Sequence, residues 1–182
     1  MSKVYAMIAD GTEEVECLTV VDLLRRAGVD TVLVSVGGKQ IVGSHKVKIQ
    51  ADATVDETDL TDADLIFLPG GMPGSEHLAA CDPLMSAIDK QIKSGKRVAA
   101  ICAAPAVVLC ANGYLRGKKA TCYPDFAAEC IGAYMNIKAR VVTDGNITTA
   151  RGLGCAVDLG LELIRLLVGD GVADKVKNAI QY

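Results

Sequence analysis

Arg97-Val98-Ala99-Ala100-Ile101-Cys102-Ala103-Ala104-Pro105 is the stretch on which the reading of this chain turns. Residues 97–101 form a short apolar run without clean alternation, as expected of a strand buried on both faces. Pro105 suits the first turn of a helix, where a missing N–H costs nothing. A helix is therefore predicted over about 105–111. Cys102 falls on the sharp turn between the two elements, flanked by small residues that leave its side chain accessible. This resembles a nucleophile elbow with Cys in place of Ser. The start of a helix is also expected to lower the thiol's pKa.

The same pattern repeats outward in both directions. Strands are predicted at 3–9, 31–36, 64–68 and 121–123. Helices are predicted at 13–27 (stopped by Gly28), 83–94 (stopped by Gly95), 125–131 and 156–168, with a last one after Gly171. Asp10 and Glu13 read as an Asp-x-x-Glu capping box for the first helix. Segments 140–143 and 147–150 flank an Asp144-Gly145-Asn146 turn and read as a hairpin. Gly37-Gly38 and Gly43 punctuate a second hairpin-like excursion, in which Val47-Lys48-Ile49-Gln50 alternates. Strands alternating with helices imply an α/β fold: a flavodoxin-like, doubly wound, mostly parallel sheet in a three-layer sandwich. One domain over 1–182 accommodates it. In such folds, ligands sit beyond the carboxyl ends of the strands.

Composition narrows the function. Hydrophobic residues make up 51% and charged residues 23%, which excludes a disordered chain. The net charge of -3, with both signs interspersed and few aromatics, argues against a general nucleic-acid binder. No apolar run reaches the ~20 residues of a membrane span, and no signal peptide is evident, so a cytoplasmic protein without a membrane partner is expected. There are seven cysteines but no Cys-x-x-Cys, and only two histidines, His45 and His77. No metal site and no cofactor site is read from these spacings. Cys17, Cys110 and Cys130 are placed within helices, Cys81 and Cys155 near helix ends, and Cys122 inside a strand. All six have an adequate role as small packing residues.

Glu16 is a second anomaly. At about 100° per residue, the 13–27 helix gathers Cys17, Val20, Val21, Leu23, Leu24 and Ala27 on one side. Glu16 lies inside that apolar sector, so a buried carboxyl with a raised pKa is expected. Glu14 lies closer to Asp22, Arg25 and Arg26, and with Glu13 reads as an acid complementing the helix dipole. Gly70-Gly71 ends the strand at 64–68 and can turn a backbone N–H into the same edge. Arg151-Gly152-Leu153-Gly154 also follows a strand, but Val157 stands where a dinucleotide-binding motif needs its third glycine.

Taken together, Asp10-Gly11-Thr12-Glu13-Glu14-Val15-Glu16, Asp22-Leu23-Leu24-Arg25-Arg26-Ala27-Gly28, Leu68-Pro69-Gly70-Gly71, Ala99-Ala100-Ile101-Cys102-Ala103-Ala104-Pro105 and Arg151-Gly152-Leu153-Gly154 resemble the ThiJ/PfpI superfamily. The resembling branch contains the Parkinson-disease-associated deglycase and bacterial ThiJ-like proteins. The resemblance implies a homodimer with Cys102 as the oxidation-prone nucleophile. Glu16 would bond to the sulfur and handle its proton, and the amides of Gly71 and Ala103 would face an oxyanion. Tyr123 and Arg151 are carried as substrate-binding candidates. The implied activity is glutathione-independent glyoxalase or deglycase chemistry on a small aldehyde or glycated substrate, in oxidative-stress defence. An alternative is a redox sensor or redox-regulated chaperone using the same cysteine. A small-amide hydrolase or peptidase is disfavoured, because Ala103 stands where protease-like members carry His. Tyr123 stands where some deglycase-branch members carry His. The relatives' Arg-Gly-Pro-Gly-Thr reads Arg151-Gly152-Leu153-Gly154-Cys155 here.

Overall fold

The computed structural model describes residues 2–182. Its centre is a seven-stranded sheet built from β1 (Lys3–Ile8), β2 (Asp30–Ser35), β5 (Ala53–Thr54), β6 (Leu65–Leu68), β7 (Arg97–Ile101), β10 (Val141–Asp144) and β11 (Ile147–Ala150). The spatial order is β10-β11-β7-β6-β1-β2-β5. Every pairing is parallel except β10 with β11, the predicted hairpin. Two small ladders lie outside it. One is the antiparallel β3 (Gln40–Val42) with β4 (Lys48–Gln50), the predicted excursion. The other is the parallel β8 (Lys119–Ala120) with β9 (Tyr134–Met135).

Alternation along β1 sends side chains to both faces, which explains its unbroken apolar sequence. Val4, Ala6 and Ile8 face α1 (Glu14–Arg26) and α4 (Ala156–Val168), while Tyr5, Met7 and Ala9 face α3 (Asp82–Lys93) on the other side. α2 (Gly74–Ala79) lies on the α3 side, and α5 (Asp170–Ala179) packs against α4. The result is the three-layer α/β sandwich expected from the sequence. At β1 the chain crosses from the β2 side of the sheet to the β6 side, which makes the β1/β6 crevice the topological switch point.

Local departures concentrate near Cys102. Residues Pro105–Cys110 form a π-helical turn rather than an α-helix, with Ala111 N–H donating to Ala106 C=O (3.0 Å) and Tyr114 N–H to Leu109 C=O (3.0 Å). The predicted strand at 121–123 is irregular; β8 ends just before it, so Cys122 lies outside any strand. Segment Pro124–Glu129 is 3-10, not α-helical. The capping of α1 also differs. Glu13 is the N-cap and accepts from Glu16 N–H (2.7 Å), whereas the Asp10 carboxylate is taken by Val42 N–H of β3 (2.8 Å). A bond across 32 positions has outcompeted the local box. Among the described residues, no helix is long and apolar enough to cross a membrane.

Candidate active site

Three adjacent strands, β7, β6 and β1, present their carboxyl ends side by side. Cys102 follows β7, Gly70-Gly71 closely follow β6, and Glu16 lies in the first turn of α1 beyond β1. The sheet thus brings together residues that are 86 positions apart at the extremes. Gly70 lies between the other two. A Cβ built on it would stand 2.6 Å from both Cys102 Cβ and Glu16 Oε2, so only glycine fits the gap.

Cys102 adopts φ 64°, a left-handed backbone that a non-glycine residue holds at a cost of about 1–3 kcal/mol. Two bonds pin it there. Its N–H donates to Ala150 C=O (3.0 Å), and its C=O accepts from Tyr123 N–H (2.8 Å). Such over-determination keeps a strained nucleophile turn in place.

Glu16 is 1% exposed. Its Oε2 accepts from Gly70 N–H (3.0 Å), while Oε1 is buried without a hydrogen-bond partner. Burial, more than any other cause, pushes the carboxyl up to about 7, and the nearby Glu13 charge adds to the rise. The Cys102 thiol, the Gly70 amide and the Leu153 amide oppose it. The Cys102 thiol is raised as well, first by burial and then by the Glu16 charge, although the amides of Ala103 and Gly71 pull it down. The expected lowering by a helix start is overridden, because burial and then the Glu16 charge outweigh the amides of Ala103 and Gly71. The physical outcome is a pair that resists losing both protons: a neutral carboxyl beside the sulfur, or a thiol beside a carboxylate.

Glu14, two residues earlier, corrects the helical-wheel reading. It is 5% exposed, because the β3–β4 hairpin folds over it. Its Oε1 accepts from the amides of His45 (2.8 Å) and Val47 (3.3 Å), and its Oε2 from Ser44 Oγ (3.2 Å). Burial alone would raise this carboxyl, but these donors leave it below its usual range. His45 therefore serves the hairpin. The imidazole of His77 bonds Asp10 C=O (2.8 Å) through Nδ1.

With this geometry established, comparison with known proteins decides the lineage. Residues 2–166 match the model of the DJ-1/PfpI family. The chain belongs to this family. It is 38% identical over 168 residues to Protein DJ-1 homolog B of Arabidopsis thaliana, covering 92% of this chain but only 38% of that protein. It is 32% identical over 150 residues to Deglycase PH1704 of Pyrococcus horikoshii, covering 82% of this chain and 89% of that one. Among solved structures, oxidised DJ-1 of Toxoplasma gondii superposes with a TM-score of 0.93 at 34% identity, covering 100% of this chain and 99% of that one. The flavodoxin-like architecture is thus that of DJ-1 proteins.

Within this DJ-1 fold, a cleft of about 390 Å³ opens beside Cys102, lined by Tyr123, Asp125, Arg151, Gly152, Leu153 and neighbouring residues. Tyr123 is 44% exposed, and its ring meets Phe126 edge-on at 6.4 Å. A Cβ on Gly152 would lie 3.7 Å from that ring and 4.0 Å from Cys102 Sγ, which places this cleft-lining glycine directly beside the sulfur. Arg151 lines the cleft, but its guanidinium leans on the carbonyls of Ile137 and Lys138 (3.4 Å each). The sequence reading gave no role to Gly152, whose position beside Cys102 Sγ only the fold shows.

Proposed function

We propose that this DJ-1/PfpI chain is a cofactor-independent, cysteine-dependent enzyme acting on small reactive dicarbonyls or on early glycation adducts. The observation that carries this reading is Glu16 Oε1: a buried carboxyl oxygen without a saturating donor, beside a strained cysteine. A carboxyl near neutrality suits repeated proton transfer. The deglycase-named relative supports an enzyme of this kind.

In the proposed cycle, a 2-oxoaldehyde enters through the cleft near Gly152. Cys102 sulfur attacks the aldehyde carbon, forming a C–S bond, and the carbonyl oxygen takes a proton to give a hemithioacetal. The amides of Gly71 and Ala103 support the developing oxyanion. Glu16 carboxylate removes the proton from the former aldehyde carbon and delivers it to the adjacent carbon, while the hydroxyl proton passes to the neighbouring ketone oxygen. This produces a thioester of a 2-hydroxy acid. Water cleaves the thioester, releasing the acid and restoring the thiol. No electrons leave the substrate–water system. On a glycated amine the same thiol would displace the amine. A homodimer in a cytoplasmic setting is part of the proposal.

The test is methylglyoxal consumption without glutathione, with identification of lactate as product. Wild type should turn over, while Cys102→Ser and Glu16→Gln should not. Full activity in both variants would overturn the mechanism.

A second reading is favoured by one specific observation, the oxidised state of the Toxoplasma gondii DJ-1 relative. Here Cys102 is oxidised to a sulfinate, and protonated Glu16 donates a hydrogen bond to it. Selective Cys102 oxidation by mild peroxide, with new holdase activity and no turnover, would select this reading.

A further inference from the structure

We propose that Cys110, Cys122 and Cys130 form a second redox site, distinct from Cys102, in which Cys130 closes a disulfide with Cys110. Three segments remote in sequence build it. Cys110 ends the π-helical turn, Cys122 follows β8, and Cys130 caps the 3-10 segment Pro124–Glu129. Their side chains pack together with Ala106, Phe126 and Ala127, and Cys110 also packs against the core on the α3 side of the sheet. Cys130 is central. Its thiol interacts with both the Cys110 and the Cys122 thiols. Cys122 and Cys130 also reach the carbonyls of Tyr123 (3.2 Å) and Phe126 (3.8 Å), which holds the sulfurs in the segment's interior.

The three thiols are not equivalent. Cys122 and Cys130 are buried, and Cys110 is partly exposed, so an oxidant meets Cys110 first. A hydroperoxide supplies the oxidation. Cys110 sulfur attacks the peroxide oxygen and the O–O bond breaks, giving a sulfenic acid and one molecule of water or alcohol. Cys130 sulfur then attacks the Cys110 sulfur. The S–O bond breaks, and hydroxide leaves with the Cys130 proton as a further water. Two thiols are oxidised and one peroxide is reduced. Cys122 packs against Cys130 as the third member of the cluster, and the Cys130 thiol beside it holds Cys122 below the ordinary thiol range despite burial. Burial pushes the Cys110 thiol up, which slows its first reaction with the peroxide.

The location links this site to the cleft. Tyr123, Pro124 and Asp125, at the start of the segment that Cys130 caps, line the cleft, and Tyr123 N–H holds the Cys102 carbonyl. Closing the disulfide ties that wall to the π-helical turn that starts directly after the Cys102 loop. The inference stands on the packing of the three thiols and does not require either reading of Cys102.

The test uses the full chain carrying Cys102→Ser, which removes the site thiol. The protein is exposed to hydrogen peroxide, blocked with an alkylating reagent and digested without reduction for mass spectrometry. The expected product is a Cys110–Cys130 crosslinked peptide, with loss of two hydrogens from the intact mass. Adding Cys110→Ser or Cys130→Ser should abolish it. Adding Cys122→Ser should keep the same link. Resistance of the fully buried Cys17 to alkylation reports that each variant remains folded. Complete alkylation of the trio in folded, peroxide-treated protein would overturn the proposal. So would Cys130 linked to any other cysteine, or an unchanged yield after Cys110→Ser.

Discussion

The first turn of α1 carries two buried glutamates, and its two flanks treat them in opposite ways. On the hairpin flank, Glu14 meets two amides and a hydroxyl, and its carboxyl falls below its usual range. On the strand-edge flank, Glu16 meets one clear donor, keeps one oxygen unsaturated and rises to about 7. Both are almost fully buried, so burial alone does not separate a structural acid from a chemical one. Saturation does: a carboxylate whose lone pairs are all occupied is a fastener, and one left short of donors keeps a proton to give.

The sharpest way to break this comparison is to make the same substitution on each flank. Glu16→Gln should lower dicarbonyl turnover by about 10²–10⁴-fold in a folded protein, the usual loss of a positioned acid–base group. Glu14→Gln should leave turnover per folded molecule within about threefold, an effect too small for a group that moves protons. Equal losses in steady-state kinetics would erase the distinction.

Stability against pH separates the two flanks again. Glu16 binds its proton more tightly in the folded state, with a pKa of about 7 against an ordinary value of 4.5. Its contribution is fully present below 4.5 and is lost as pH rises through about 7. Across that window wild type should lose about 3 kcal/mol relative to Glu16→Gln, by the usual conversion of a pKa shift. Urea melts at several pH values will show it; parallel curves would contradict it. Glu14 has the opposite sign. Its stabilisation is present above the ordinary carboxylate range and fades as pH falls through its lowered value.

Glu14→Gln should also cost about 2 kcal/mol at neutral pH, because an amide cannot accept from every donor the carboxylate serves. An unchanged denaturation midpoint would show that the hairpin does not depend on it.

The smallest expected effects come from the glycines that abut each acid. Gly70→Ala would press on both Cys102 and Glu16, and Gly43→Ala would press on Glu14. Each should cost about 1–3 kcal/mol of stability, as overpacking does. Only Gly70→Ala should slow alkylation of Cys102, read by timed labelling and peptide mapping.

Much of this was legible in the sequence. Cys102 was placed by a strand followed by a proline-started turn, and Glu16 by its position in an apolar helical sector. Gly70-Gly71 were placed by the strand they terminate. These are local patterns, and the rule that parallel sheets gather chemistry at one edge joins them. What escaped depends on contacts between distant segments. Asp10 was lost as a cap because Val42 claims its carboxylate. Glu14 reads only as a helix-dipole acid near the charged side of the helix, because no local pattern shows the hairpin closing over it. The direction of the Cys102 shift differs from the helix-start expectation because that local argument omits the burial of the thiol and, after it, the Glu16 charge. The convergence of Cys110, Cys122 and Cys130 needs the packing of the π-helical turn against the 3-10 segment. No periodicity announces that packing.

The central claim is that Glu16 holds a proton beside Cys102 near neutrality. Infrared difference spectroscopy of the carboxyl C=O stretch, comparing wild type with Glu16→Gln across pH, tests it most directly. The account predicts a protonated-carboxyl band that is present at about pH 6, lost on titration through about 7 and absent from Glu16→Gln. A carboxyl already ionised at about pH 6, or a band that survives Glu16→Gln, would contradict it.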